Sequence, residues 1–105
     1  MNIEVVEFYE TLREDHKQIL KGTLHVYLID CQIDLRGIHV SKQKGFWFFR
    51  IPHQWTLNEV GEKLFYPVMS FIDKESNLML MNLIREKGKE YIEQNYLFKQ
   101  IKMAS

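Results

Sequence analysis

Histidine, cysteine and acidic side chains are the groups of this chain that could perform acid–base or metal chemistry. The run Glu14-Asp15-His16 sets two carboxylates beside an imidazole, as a general acid–base pair would. No nucleophile and no apolar stretch that would shift a pKa accompanies this run, so we predict a solvated turn. The C-x-x-C and H-x-x-x-H spacings that metal sites use are absent among the other candidate ligands, His25, Cys31, His39 and His53.

Phosphate-binding and nucleophile motifs are missing as well. The glycines are too dispersed to form a P-loop, and no G-x-S-x-G run occurs. We therefore expect a protein that is not an enzyme and that carries neither a cofactor nor a metal. Binding is the class of function that remains.

The charged residues balance overall but not locally. The 14 Lys and Arg residues offset the 14 Asp and Glu residues, so bulk charge gives no bias toward nucleic acid. Lys and Arg are nevertheless enriched in residues 17–50, which indicates either a basic patch or an ordinary solvated surface. If a patch binds nucleic acid, the candidate contacts are Arg36, Lys42, Lys44, Arg50 and Lys63, with Trp55 as a stacking residue.

Length and composition predict one domain spanning residues 1–105. Hydrophobic residues make up 46% of the chain, so it should fold around a modest core. A domain of this size gains from covering apolar surface with a second copy, which makes a homodimer an expectation. The single cysteine and an acidic N-terminus without an apolar leader predict a soluble cytoplasmic protein with no membrane partner.

The stretch from Arg36 to Pro67 organises the predicted fold. Apolar runs on either side of Ser41–Gly45 predict a β-hairpin, and Arg36-Gly37 is the expected place of a β-bulge. One face of the second hairpin strand must belong to the core. The other face is either covered, by a helix or by a second subunit, or exposed as a platform for base stacking, and of these two alternatives we favour the covered face. The two faces carry Trp47, Phe49 and Ile51 on one side and Phe46, Phe48 and Arg50 on the other.

The segments before and after this stretch complete an α+β fold, an antiparallel β-sheet meander with a C-terminal helix packed on it. β-Branched and aromatic residues favour a strand over a helix at residues 3–12. Thr56–Glu59 matches a helix capping box, and residues 64–71 are predicted as an edge strand. Asp73 should cap the long helix, and residues 97–105 should form a flexible tail. The helix stripe expected to pack on the sheet contains Leu78, Met81, Ile84, Gly88, Tyr91, Ile92 and Asn95.

The central stretch resembles the stage V sporulation protein G (SpoVG) family of small bacterial proteins. The family pattern consists of an I-x-V strand, a Gly-ended turn, a Pro, a loop Thr and a second Pro. The residues that match it here are Ile38, Val40, Gly45, Pro52, Thr56 and Pro67. The resemblance covers roughly residues 3–95 and implies a dimer that binds DNA or RNA and influences gene expression and septation. Where the family has Lys-Arg before the loop Thr, this chain has Gln54-Trp55, a neutral pair that supplies no charge for phosphates.

Two hypotheses for function follow. The first is a small dimeric regulatory protein that binds DNA or RNA. The second is a protein–protein interaction module that has the same fold and does not bind nucleic acid. Salt dependence separates the two, because binding to phosphates weakens steeply as the salt concentration rises.

Overall fold

The computed structural model describes residues 1–97 and has an α+β fold. Four antiparallel strands, adjacent in chain order, form the main sheet: β1 Ile3–Glu14, β2 Ile19–Leu28, β3 Ile33–Gln43 and β4 Phe46–Arg50. A separate two-stranded sheet consists of β5 His53–Leu57 and β6 Lys63–Pro67. The helix α1, Lys74–Ile92, follows and continues into a π-helical turn, Glu93–Leu97. The predicted antiparallel meander with a C-terminal helix is confirmed.

Alternation of apolar side chains explains how β2 and β3 pack. Leu24 and Val26 are fully buried on one face of β2, opposite Ile38 and Leu35 of β3. The pairing skips a residue between these two positions, where Gly37 has a φ of +76°. The predicted β-bulge is confirmed, and it allows Leu35 and Ile38 to share the buried face. The strand predicted at residues 3–12 is also confirmed, as β1.

A two-residue turn, Lys44-Gly45, closes the hairpin between β3 and β4. Both residues have positive φ angles, +49° and +87°. Two successive left-handed residues match the right-handed twist of paired strands, and glycine adopts this conformation without a steric penalty. The predicted hairpin is confirmed, although β3 continues to Gln43 and the loop is shorter than Ser41–Gly45.

The helix begins where the sequence predicts it. The Asp73 side chain accepts hydrogen bonds from the Glu75 N–H and the Ser76 hydroxyl, which caps the first turn. Leu78 was expected on the packed stripe, and this prediction is wrong, since it is 59% exposed. Leu80, turned by roughly 200° about the helix axis, faces the sheet instead. The buried residues of α1 are Leu80, Ile84, Gly88 and Ile92.

Gly88 allows α1 to approach the sheet closely. A Cβ atom at this position would lie 2.8 Å from Leu24 Cδ2 and 2.9 Å from Phe49 Cε1. These distances are too short for a real contact, so a larger residue here would push the helix away from the sheet, and the predicted place of Gly88 on the packed stripe is confirmed. Within residues 1–97, no helix combines the length and the apolarity needed to span a membrane.

The Glu7 carboxylate ties β1 to the end of the helical segment. Its Oε1 accepts hydrogen bonds from the Tyr96 hydroxyl at 2.7 Å, the Phe8 N–H at 3.0 Å and the Tyr91 hydroxyl at 3.1 Å. These bonds, the one from Tyr96 most of all, lower the pKa of Glu7 below its usual value. Burial and the neighbouring carboxylate raise the pKa of both tyrosines.

Two predictions for the second half of the chain are corrected by the structure. Thr56–Glu59 does not start a helix, because Thr56 and Leu57 belong to β5. The Asn58 side chain then accepts hydrogen bonds from the Val60 and Glu62 N–H groups and closes a hairpin loop. The strand predicted at residues 64–71 is β6, which ends at Pro67 and pairs with β5 rather than with the main sheet. The predicted flexible tail, 97–105, lies outside the described residues except for Leu97.

Candidate nucleic-acid interface

The main sheet has one face packed against α1 and another that no described residue covers. The helix lies on the face that carries Leu24 and Phe49. On the opposite side, which we call the open face, rows of paired side chains cross the four strands. Three rows are Tyr9, Thr23, His39 and Arg50; Leu12, Lys21, Ser41 and Phe48; and Glu14, Ile19, Gln43 and Phe46.

Two aromatic rings are exposed at the β4 edge of the open face. Phe46 is 81% exposed and Phe48 is 60% exposed, whereas Phe49, on the other side of the strand, is 4% exposed. The face with Phe49 is therefore the core face, and the cover that we favoured for the face with Phe46 and Phe48 is not found among residues 1–97. Since the two rings are two residues apart on one strand, their backbones are separated by about 6.5 Å.

Lys21 and Arg50 give the open face a positive charge beside these rings. Neither side chain forms an ion pair with a carboxylate in the part of the chain that the structure describes. The two rows to which they belong contain no Asp or Glu. A shallow depression of about 410 Å³ lies between them, and its lining includes Lys21, Thr23, His39, Ser41, Phe48 and Arg50. Cationic groups, hydroxyls and an aromatic ring thus converge on one surface.

Arg36, one of the predicted contacts, is exposed but lies beside an acidic residue. Its guanidinium is 3.8 Å from one carboxylate oxygen of Asp34, and the other oxygen is 3.1 Å from Nε2 of His25. His25 is buried, so Asp34 also serves to satisfy its ring nitrogen. The nearby carboxylate offsets the charge of Arg36 and weakens it as a phosphate contact relative to Arg50.

Lys42 and Lys44, two of the predicted contacts, do not lie on the open face. Lys42 pairs with Trp47, and its Nζ lies 5.2 Å from the centroid of the Trp47 ring in a cation–π contact. This pair is on the side of the sheet that carries Phe49. Lys44 occupies the hairpin turn. Both lysines therefore differ in orientation from Arg50.

Trp55 and Lys63 lie together on a different part of the molecule, the β5–β6 hairpin of residues 53–67, which we call the arm. The Lys63 Nζ is 4.9 Å from the centroid of the Trp55 ring, and Trp55 pairs with Phe65 across the arm. Every residue of both arm strands is exposed. The structure thus separates the six predicted contacts: Arg50 lies on the open face, Lys42 on the opposite face, Lys44 in the hairpin turn, Arg36 beside Asp34, and Trp55 and Lys63 on the arm.

Lys21 is a candidate contact that sequence reasoning missed. The alternation of apolar residues in the sequence predicts a strand at Gly22–Ile29, which begins one residue too late to include Lys21, whereas β2 begins at Ile19. Leu20, Gly22 and Leu24 are all buried, so the alternation that defines the covered face extends back beyond Gly22. Following that alternation to Leu20 is the signal that would have assigned Lys21 to the open face.

Comparison of the chain with protein-family models finds no match, and comparisons with curated proteins and with solved structures find none. The resemblance to the SpoVG family therefore stays a prediction. The chemistry of the open face and of the arm carries the functional argument.

Proposed function

We propose that this chain is a small nucleic-acid-binding protein, not an enzyme, and that its open face holds a single strand of DNA or RNA. The observation that carries the proposal is the position of two exposed rings, Phe46 and Phe48, beside two cations, Lys21 and Arg50, that form no ion pair within residues 1–97. Rings exposed on a flat sheet stack on unpaired bases, which a duplex does not offer. The resemblance to the SpoVG family extends the proposal to a regulatory role in gene expression in the cytoplasm.

Each group on the open face has a role in this proposal. Phe46 and Phe48 each stack on a base, and each stack contributes about 1–3 kcal/mol. Lys21 and Arg50 contact phosphates, since neither has a carboxylate partner among the described residues. Ser41 offers a hydroxyl to base edges or to sugar. The hairpin-turn lysine, Lys44, is a further phosphate contact at the edge of the same surface.

A titration of labelled single-stranded RNA and DNA at two salt concentrations tests the proposal. Lys21→Ala combined with Arg50→Ala should weaken binding to all sequences and reduce the salt slope by about two, one for each lost phosphate contact. Phe48→Ala should weaken binding by about 1–3 kcal/mol and leave the salt slope unchanged. Lys87→Ala, which removes one positive charge at an exposed position of α1, is the control.

The outcomes of this titration are distinct. Equal binding by wild type and by the double variant, or equal loss with Lys87→Ala, would contradict the open-face site. Undetectable binding of any oligonucleotide by wild type at low salt would remove the nucleic-acid proposal altogether. Circular dichroism of each variant checks that the fold is retained.

A protein-interaction module is the second candidate, and the exposed apolar arm favours it. Trp55 and Phe65 are 56% and 66% exposed, and such pairs of rings are typical of protein interfaces. If this candidate is correct, the chain binds a protein with little dependence on salt and binds no oligonucleotide.

A further inference from the structure

The arm is an isolated hairpin with apolar side chains on both faces. Trp55 and Phe65 pair on one face, while Leu64 and Tyr66 lie on the other and are 46% and 44% exposed. A two-stranded hairpin is at best marginally stable in water. Within residues 1–97, no element covers either strand of the arm. The arm therefore needs a partner surface whenever the chain is folded.

The first half of α1 has the same character. Leu78 and Met79 are 59% and 51% exposed, and Ile72 in the preceding segment is fully exposed. The second half of the helix instead presents charged side chains to solvent, among them Arg85, Glu86, Lys87, Lys89 and Glu90. The arm and the beginning of the helix that follows it thus form an uncovered apolar surface in addition to the open face.

An apolar slot lies at the base of the arm, between β4 and α1. Its volume is about 290 Å³, and its lining includes Phe49, Ile51, Pro67, Met69 and Met81. Methionine side chains adapt in shape to an inserted group, as at other apolar binding surfaces. One chain therefore carries both a protruding apolar element and an apolar recess beside it.

We propose that the arm docks on a second copy of this chain, so that the Trp55–Phe65 face of each arm packs against the slot and the exposed helix start of the other copy. A second copy is the partner that is present whenever the chain folds, as the instability of the isolated arm requires. A protrusion and a recess on the same chain are also what a two-fold interface needs, since each copy supplies both.

The exposed area is sufficient for a stable dimer. Eight apolar residues of the helix start and of the arm, without Leu64 and Tyr66 on its other face, are about half exposed or more, namely Trp55, Leu57, Val60, Phe65, Val68, Ile72, Leu78 and Met79. At roughly 100 Å² each, scaled from about 150–250 Å² for a fully covered aromatic ring, they present roughly 800 Å² per copy. Standard stable interfaces bury about 800 Å² per partner. The contact does not depend on nucleic-acid binding, although Arg50 lines the slot as well as the depression on the open face.

Light scattering coupled to size exclusion, from nanomolar to micromolar concentration, measures the oligomeric state directly. Wild type is expected to be a dimer, and Trp55→Ser combined with Phe65→Ser should raise the dissociation constant about 100-fold or more, because central aromatic anchors dominate such interfaces. Phe46→Ser combined with Phe48→Ser removes two equally exposed rings from the open face and should leave the dimer intact. A monomeric wild type, an unaltered arm variant or a monomeric open-face variant would each overturn the proposal.

A disulfide experiment locates the contact and does not depend on how the arm variant folds. In the Cys31→Ser background, one chain carries Leu57→Cys, on the same face of the arm as Trp55 and Phe65, and another, of different tagged mass, carries Met69→Cys. Mild oxidation of the mixture should give a covalent heterodimer between arm and slot. A second mixture that replaces Met69→Cys with Lys87→Cys, far from the slot on α1, is the control. Cross-linking equal to that control would show that the arm does not enter the slot of a second copy.

Discussion

Asn77 of α1 holds the backbone of Phe71 through two hydrogen bonds, each 2.7 Å long. Its Oδ1 accepts from the Phe71 N–H, and its Nδ2 donates to the Phe71 carbonyl. A second bond, from the Val68 N–H to the Pro52 carbonyl, joins the two ends of the arm. The segment between arm and helix is thereby anchored to the first turns of α1, which sets the direction in which the arm leaves the sheet.

Asn77→Ala should destabilise the fold by about 1–3 kcal/mol, because it removes the side-chain partner of both the N–H and the carbonyl of half-buried Phe71. Urea unfolding followed by circular dichroism measures the change. Asn82→Ala, an exposed amide one turn further along the same helix, is the control and should change stability by less than about 0.5 kcal/mol. Equal unfolding midpoints for the two variants would show that the Phe71 anchor is not a stabilising contact.

Gly22 lies beneath the ring of Phe8, and this packing predicts a steric effect. A Cβ atom on Gly22 would come within 2.3 Å of the Tyr9 carbonyl oxygen and 2.6 Å of Phe8 Cζ. Gly22→Ala should therefore cost about 1–3 kcal/mol, since the backbone of β1 cannot move aside without loss of its pairing. Thr23→Ala, the next residue and on the open face, should cost less than about 1 kcal/mol. Thermal unfolding of both variants makes the comparison, and a stable Gly22→Ala variant would contradict it.

Phe48 and Phe49 are adjacent in sequence and opposite in environment. Phe49→Ala should cost about 3–5 kcal/mol, because it opens a cavity under α1. Phe48→Ala should change stability by less than about 0.5 kcal/mol. Trp47→Ala should fall between them, since Trp47 is half-buried and stacks on Phe49 at a centroid distance of 5.9 Å. Chemical denaturation ranks the three variants, and any other order would be inconsistent with the assigned faces.

The hydrogen bonds to Glu7 predict a dependence of stability on acid. The pKa of Glu7 is lowered in the folded state. The stability that its carboxylate contributes is therefore fully present above the pKa of the unfolded chain, about 4.3, and is lost as pH falls through the pKa of the folded state. Glu7→Gln should lower the melting temperature at neutral pH and flatten the loss of stability below about pH 5. Thermal melts across this pH range test the prediction.

Tyr96→Phe supplies the matching partner variant. It should reproduce much of the Glu7→Gln effect and add little to it, because the two residues share a hydrogen bond. The pKa of Tyr96 is raised rather than lowered in the folded state. The stability that its hydroxyl contributes is therefore fully present below about pH 10, the usual tyrosine pKa, and is lost as pH rises beyond it. Additive effects of the two variants would contradict the coupling.

Features that depend on neighbouring residues in the chain were predictable from sequence. The bulge at Gly37, the hairpin that Gly45 closes and the Asp73 cap each follow from a local backbone or hydrogen-bonding preference. The strand alternation of β2 also follows from the sequence, because side chains on a strand point to opposite faces whatever lies beyond them.

Contacts between distant segments decided the remainder. Thr56 fits a helix cap as well as it fits a strand, and pairing with Leu64 of β6 selects the strand. Leu78 and Leu80 are equally apolar, and only the direction from which the sheet meets α1 buries Leu80. The separation of Arg50 and Lys21 from Lys42, and of all three from the arm, likewise arises from strand register. Chain spacing cannot specify it, because a one-residue shift in pairing moves a side chain to the opposite face of the sheet.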